Sequence, residues 1–421
     1  MKIIKYPNKS EYKTILTRPT QDISVIEERV LPILKKVKTE GDSAIREYAL
    51  QFDNVFLDNL SVADYDVQNA ENLLSEDLKT AIKQAYANIY KFHVAQKSFP
   101  EKIETMAGVT CWRKSVGIDK VGLYVPGGTA PLFSTVLMLG IPAKIAGCRE
   151  VVLCTPSTHP AIYFAAKLCG ISKIFRVGGS QAIAAMAYGT ESIPQVYKIF
   201  GPGNQYVTAA KMLVNKEGLA IDMPAGPSEV AVYADDSANP TFVAADLLSQ
   251  AEHGIDSQVL LVSTSEKMIE AVNQELNEQV AVLPRADFAS KALKNSQAVL
   301  VSTQEIALEM LNEYAAEHLI MSIENAEEIS EKIYNAGSIF LGNYTPESAG
   351  DYASGTNHTL PTYGFAKMHS GVSTSTFIKY ITAQTLTEDG LRNIGQTVMD
   401  LADVEGLGAH ANAVRVRMNQ L

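Results

Sequence analysis

The sequence predicts an α/β protein made of two parallel-sheet units side by side, with a short N-terminal arm and a small helical C-terminal tail. Three observations carry this. From Lys120 onward, short runs rich in β-branched residues alternate with Ala-rich helical stretches, the pattern of βαβ units in a sheet covered on both faces. Several of the runs end in glycine turns: Pro126-Gly127-Gly128, Gly178-Gly179 and Gly201-Pro202-Gly203-Asn204. From Glu229 the alternation repeats with about as many strands, so two units lie in succession.

In chain order, the arm is followed by helices over Ile23–Lys38 and Asp42–Phe52, the second with Asp42 as N-cap and Ile45, Tyr48, Ala49 and Phe52 on one face. A third starts near Ser75, with Leu78, Ile82, Ala85 and Ile89 repeating along it and His93 as a partly solvated residue at its end. The first set of strands is VGLYV at 121, VVLC at 151, KIFRV at 173, YKIF at 197 and LAIDM at 219. Helices over 131–146, 160–169, 181–188 and 206–214 separate them. The second set is EVAVYA at 229, QVLLVS at 258, AVLVS at 298, HLIMSI at 318 and SIFLG at 338. The tail reads as two amphipathic helices, Thr387–Val404 and Leu407–Met418, broken at Gly406 and Gly408. The expected division is an arm over 1–20, a discontinuous α/β domain over 21–119 and 229–372, a second over 120–228, and a dimerisation tail over 373–421.

Composition narrows the class of function. A chain of 421 residues that is 46% hydrophobic is long enough for two or more cores. A formal net charge of −11 and a pI near 5.2 argue against nucleic-acid or anionic-membrane partners, which need a basic face. No apolar run reaches the length of a membrane span. The opening MKIIKYPNKSEYK meets proline and lysines before an apolar signal region could develop, so a cytoplasmic protein is expected. The cysteines Cys111, Cys148, Cys154 and Cys169 lack CxxC spacing and read as free thiols of a reducing compartment.

Chemistry concentrates in a few places. Pro346–Gly364 (PESAGDYASGTNHTLPTYG) collects Glu347, Asp351, Asn357 and His358 in a Gly/Pro/Ser-rich segment with no regular period. It reads as a long ordered loop at the carboxyl end of a strand, either a plain connector or a site. Gln250 and His253 stand at i and i+3 on one helix face, a spacing that suits two ligands of one metal as well as a simple helix cap. Asp351, His358, His318 and His410 add N and O donors with no competing thiol, a set that suits zinc or a neighbouring divalent ion. Glu317-His318 joins a carboxylate to an imidazole at the mouth of a strand. It is either an exposed Glu beside a buried His or a general base with a group that activates water. The glycine turns are compatible with phosphate, yet none is GxGxxG and no acidic residue ends the second strand, so a dinucleotide held in the usual Rossmann way is not supported.

The motifs VGLYVPGG, IFGPGN, AIDMPAGPSEV, DLLSQAEHG, AEHLI, GSIFLG and PESAGDYASGTNHTLPTYG, in this order over nearly the whole chain, closely resemble the histidinol dehydrogenase family. The resemblance implies a homodimer with two incomplete Rossmann-like domains and active sites shared between chains. It implies a zinc-containing, NAD-dependent enzyme that oxidises L-histidinol through the aldehyde to L-histidine. Carried over by motif, Gln250, His253, Asp351 and His410 would bind zinc, with His318 as proton acceptor and Glu317 activating water. Ser228, His358 and Glu405 would line the substrate site, and Tyr124, Gln181 and Asn204 would contact NAD. The alternatives are an aldehyde dehydrogenase using Cys148 or Cys154 as nucleophile, and a two-lobed solute-binding protein, which would require export.

Overall fold

The computed structural model describes residues 1–19, 23–97, 100–127 and 131–421, which leaves Gly128 of the first glycine turn outside it. Two parallel sheets form the frame. In one, Glu229–Ala234 is central, with Gln258–Ser263 and then Gln297–Leu300 on one side and His318–Ser322 and then Ser338–Leu341 on the other. In the other, Lys120–Tyr124 is central between Glu150–Cys154 with Lys173–Phe175, and Lys198–Phe200 with Ala220–Ile221. Each sheet therefore starts at its centre, adds two strands outward, then reverses. The reversal leaves a crevice beside the central strand in each sheet.

All ten strands expected from the alternation form. The inner ones are buried on both faces, which is why the sequence shows continuous apolar runs rather than a period of two; Glu229–Ala234 and Gln258–Ser263 are buried throughout, while the edge strands Ala220–Ile221 and Ser338–Leu341 are partly exposed. Two features were not legible. Lys2–Lys5 leaves the arm to pair in parallel with Gln297–Leu300 as a sixth strand of the first sheet. A separate antiparallel sheet joins Ile103–Met106, Val109–Gly117 and Ile378–Leu386, so a nine-residue strand precedes the tail helices Glu388–Val404 and Gly408–Met418.

The expected grouping of 21–119 with 229–372 needs correction. Ile23–Glu40 and Asp42–Asp53 pack with Gly179–Tyr188 and Gln205–Lys216 on one face of the sheet centred on Lys120–Tyr124, and Glu76–Val94 packs with Phe133–Ala146 on the other. A parallel sheet needs both faces covered, and these helices thicken both layers. Smaller corrections follow. Gly41, not Asp42, precedes the second helix as its cap. The Asp42 carboxylate instead accepts from the Thr190 hydroxyl at 2.6 Å and the Ser192 amide at 3.3 Å, tying that helix to the loop 190–192. Phe52 is exposed, unlike Ile45, Tyr48 and Ala49. His93 is fully buried: its Nδ1–H donates to the Ile89 carbonyl (2.9 Å) and its Nε2 accepts from Asn357 (3.2 Å).

The tail segment is clamped by Phe377, fully buried and stacked on Phe200 at 3.8 Å between ring centroids with an interplanar angle of 12°. Replacing Phe377 with Ala is expected to cost about 3–5 kcal/mol of unfolding free energy through lost contacts and a residual cavity. Urea midpoints at unchanged slope measure this, and a loss below about 1 kcal/mol would show that the stack does not hold the segment.

Candidate active site

The chemistry sits at the amino edge of the six-stranded sheet, not at the carboxyl edge where the strand–loop pattern placed it. His318 and Glu229 are the first residues of adjacent strands, in a register that sets His318 opposite Val230. The helix Pro240–Ala251 runs back from the carboxyl edge and delivers Gln250 to the same place. Part of the segment read as a loop is helical: Glu347–Tyr352 follows Pro346 and turns back so that Glu347 and Asp351, one turn apart, face His318. Beyond it, Asn88 donates to the Ala353 carbonyl (2.9 Å) and Asn357 to the Met138 carbonyl (2.6 Å), so the stretch is moored to the five-stranded unit.

His318 is the hub. Its Nε2–H donates to Asp351 Oδ1 at 3.2 Å, and its Nδ1 lies 3.4 Å from the Gln250 side-chain nitrogen and 3.7 Å from Glu317 Oε2. Glu317 Oε2 is held by the Glu229 amide at 3.0 Å and by the Gln250 amide at 3.3 Å. Ligand atoms of His318, Glu347 and Asp351 lie within 4.8 Å of one another. Two buried oxygens, Gln250 Oε1 and Glu347 Oε2, have no hydrogen-bond partner. Orphaned oxygens in a dry site are costly, so a cluster of N and O donors containing two of them fits a cation.

Burial and charge pull the titrations apart. Burial alone would suppress the imidazolium, but Glu347, Glu317 and Asp351 outweigh it and push His318 up to about 10. Burial raises Glu317 and Glu347 to about 8, with His318 opposing. Asp351, in spite of burial, is held below the usual range by His318. Burial lowers His358, which donates from Nδ1 to the Asp351 carbonyl (2.8 Å) and accepts at Nε2 from the Thr135 hydroxyl (3.0 Å) of the facing unit. His253 stands exposed one turn beyond Gln250.

A sequence model described as histidinol dehydrogenase matches residues 16–418. Histidinol dehydrogenase of Bacteroides thetaiotaomicron is 59% identical over 426 residues, spanning all of both chains. The chloroplastic histidinol dehydrogenase of Arabidopsis thaliana is 52% identical over 98% of this chain and 90% of its own. The crystal structure of histidinol dehydrogenase from Elizabethkingia anophelis superposes with a TM-score of 0.97 at 50% identity, covering 100% of this chain and 98% of that one. This chain belongs to the histidinol dehydrogenase family. It is an oxidoreductase, as the family name states.

Of the residues carried over from the histidinol dehydrogenase motifs, Glu317, His318, Gln250, Asp351 and His358 meet in this cluster, with His253 at its rim. Ser228, next to Glu229, lines a small cleft with Arg18, Asp256 and Tyr363. Tyr124, Gln181 and Asn204 gather at the carboxyl edge of the five-stranded sheet. The Tyr124 hydroxyl accepts from the Gly179 amide (3.1 Å), Gln181 is buried, and Asn204 caps the helix Gln205–Lys216. Glu405 and His410 are not brought in: both are exposed on the tail helices, which pack on each other and on the antiparallel sheet. Neither thiol of the cysteine alternative touches the cluster. Burial pushes Cys148 up to about 12 and Cys154 higher still, which makes both poor nucleophiles.

Sequence reading assigned no role to Glu347, Glu229, Thr135 or Arg18. The i, i+4 spacing of Glu347 and Asp351 behind a proline was the available signal for the first. For Glu229 it was a charge opening an otherwise apolar strand. Arg18 reaches Glu229 from the arm as a buried ion pair, donates to the Tyr314 carbonyl at 2.6 Å and lies 4.0 Å over the Tyr314 ring. Nothing in the local pattern of the arm marks it.

His318 also sets a pH dependence of stability in protein stripped of divalent ions. Its folded pKa, about 10, lies above the ordinary value of 6.5, so its contribution is full below pH 6.5 and is lost as pH rises through 10. Urea midpoints of metal-free wild type should fall across that window, and His318→Asn should flatten the fall. Parallel profiles for the two proteins would refute the assignment.

Proposed function

We propose that this chain oxidises L-histidinol through L-histidinaldehyde to L-histidine in two hydride transfers to NAD, as the last steps of histidine biosynthesis. The observation that carries the reading is the buried Glu317–His318 pair beside a donor cluster, at the edge that faces the five-stranded unit across the His358–Thr135 bond. Hydride leaves a carbinol carbon only as its hydroxyl loses a proton. An imidazole at that oxygen takes it, and Asp351 stabilises the imidazolium formed. The aldehyde must then be hydrated before a second hydride can leave. Glu317, the residue before His318 and held by the Glu229 and Gln250 amides, would take the water proton.

Gln250, Asp351 and His253 would hold zinc together with His410, and the orphaned oxygen of Gln250 supports that use. Zinc bound there would orient the imidazole and amine nitrogens of the substrate, and its charge would return His318 toward the neutral base. Tyr124, Gln181 and Asn204 would meet NAD beside the central strand of the five-stranded sheet, where the strand order reverses. Ser228, His358 and Glu405 complete the proposed substrate contacts. Among the described residues no helix is long and apolar enough to cross a membrane. We assign the enzyme to the cytoplasm.

The proposed enzyme is a homodimer in which Glu405 and His410 complete the partner's site. Both residues are exposed on a tail whose apolar side chains Leu401 and Val404 are 63% and 89% exposed. Surface of that kind is expected to be covered by another chain.

Two experiments test the reading. NADH should form when histidinol is added to the zinc-loaded enzyme, and Glu317→Gln should slow histidinaldehyde oxidation far more than histidinol oxidation, on the order of a hundredfold against a few-fold. Equal losses in both steps would contradict the division of labour. Separately, inactive His318→Asn and His410→Asn chains, mixed under conditions shown to exchange subunits, should recover about a quarter of wild-type activity if tails are exchanged. A mixture that stays inactive would place each tail on its own chain.

A further inference from the structure

The turn Gly201-Pro202-Gly203-Asn204 is gripped by a buried ion pair that no step of the reaction uses. Lys211, on the helix that follows the turn, pairs with Asp222, just past Ala220–Ile221, and their side chains are 4% and 1% exposed. The Lys211 ammonium donates to the Gly201 carbonyl at 2.9 Å. Asp222 Oδ2 accepts from the Gly201 amide at 2.8 Å, while Oδ1 accepts from the Met223 amide at 2.7 Å. Both polar backbone groups of one glycine thus end in one ion pair.

Gly201 has φ +134°, a conformation that L side chains rarely adopt, and a Cβ there would run into the Tyr124 carbonyl. The turn is therefore pressed against the end of the central strand, and Tyr124 in turn holds the Gly179 amide through its hydroxyl. A buried ion pair contributes little more to net stability than two well-packed apolar side chains. What it supplies here is direction, since charge-assisted bonds fix where the peptide of Gly201 points.

We propose that Lys211 and Asp222 are positioning residues for the cofactor: their pair holds the Gly201–Asn204 turn, and with it Asn204, in the conformation that receives the dinucleotide. This rests on the reading that Tyr124, Gln181 and Asn204 contact NAD. The test is the zinc-loaded full-length double variant Lys211→Met with Asp222→Leu, which removes both charges at similar volume and so leaves no unpaired buried ion. Its KM for NAD should rise roughly tenfold to a hundredfold, with the KM for histidinol moving far less. A purely structural pair would change yield and melting temperature and leave the ratio of the two KM values in place. KM does not depend on how much of a preparation is folded, so a partly folded sample still answers. If no active fraction is obtained, Asp222→Asn decides by the same ratio.

An unmoved KM for NAD overturns the proposal. Asn204→Ala and Gln181→Ala, measured in parallel, separate the two ways it can fail. If they raise the KM for NAD while the pair variant does not, the positioning role is wrong and the cofactor site stands. If neither class raises it, the cofactor site itself is misplaced.

Discussion

One imidazole buried against three carboxylates is the constraint on which the rest of the molecule depends. His318, Glu317, Glu347 and Asp351 come from a strand start and a returning helical turn, and Gln250 adds an amide from a third element. Charges taken out of water repay the cost only when their partners are in place. A slip of the Glu347–Tyr352 turn by one residue would leave His318 facing uncompensated groups, so the packing of that turn and the titration of the site are one problem. Its moorings on the five-stranded unit, through Asn357 to Met138 and His358 to Thr135, fit that requirement.

The two sheets share one strand order yet use opposite edges. In the five-stranded sheet the candidate cofactor residues lie at the carboxyl edge, where the order reverses, as open α/β sheets arrange their ligands. In the six-stranded sheet the corresponding crevice is stapled by Asp235, which accepts from the Ser237 and Glu324 amides at 2.9 Å and 3.0 Å. The titratable cluster has moved to the amino edge instead. The His358–Thr135 bond brings that amino edge against the unit whose carboxyl edge carries the candidate cofactor residues, and under the proposed function hydride donor and acceptor would be held on separate frames.

The N-terminal arm is part of the site's foundation. Arg18 neutralises Glu229, and the Glu229 amide fixes Glu317, so a residue near the start of the chain orients a carboxylate about three hundred residues later. Glu229 also accepts from the Tyr363 amide at 3.1 Å, joining the arm to the far end of the 346–364 stretch. Removing Arg18 would strand a carboxylate that burial already pushes toward its neutral form.

Periodicity and turn chemistry made the ten core strands and the long helices legible, because buried parallel strands leave continuous apolar runs and helices leave a stripe. Motif spacing brought Gln250 and His253, Glu317 and His318, and Asp351 into consideration for the same reason: short-range geometry is written in short-range sequence. Long-range pairing was not. The sixth strand, the antiparallel sheet that joins 103–117 to 378–386, and the helices of 23–94 on the five-stranded unit depend on partners far along the chain. The choice of the amino edge, the return of Glu347 and Asp351 to His318, and the exposure of Glu405 and His410 likewise follow from how whole elements pack. No local pattern encodes which edge of a sheet will face another, since both edges of the same strand carry the same apolar signal; the tertiary structure alone decided it.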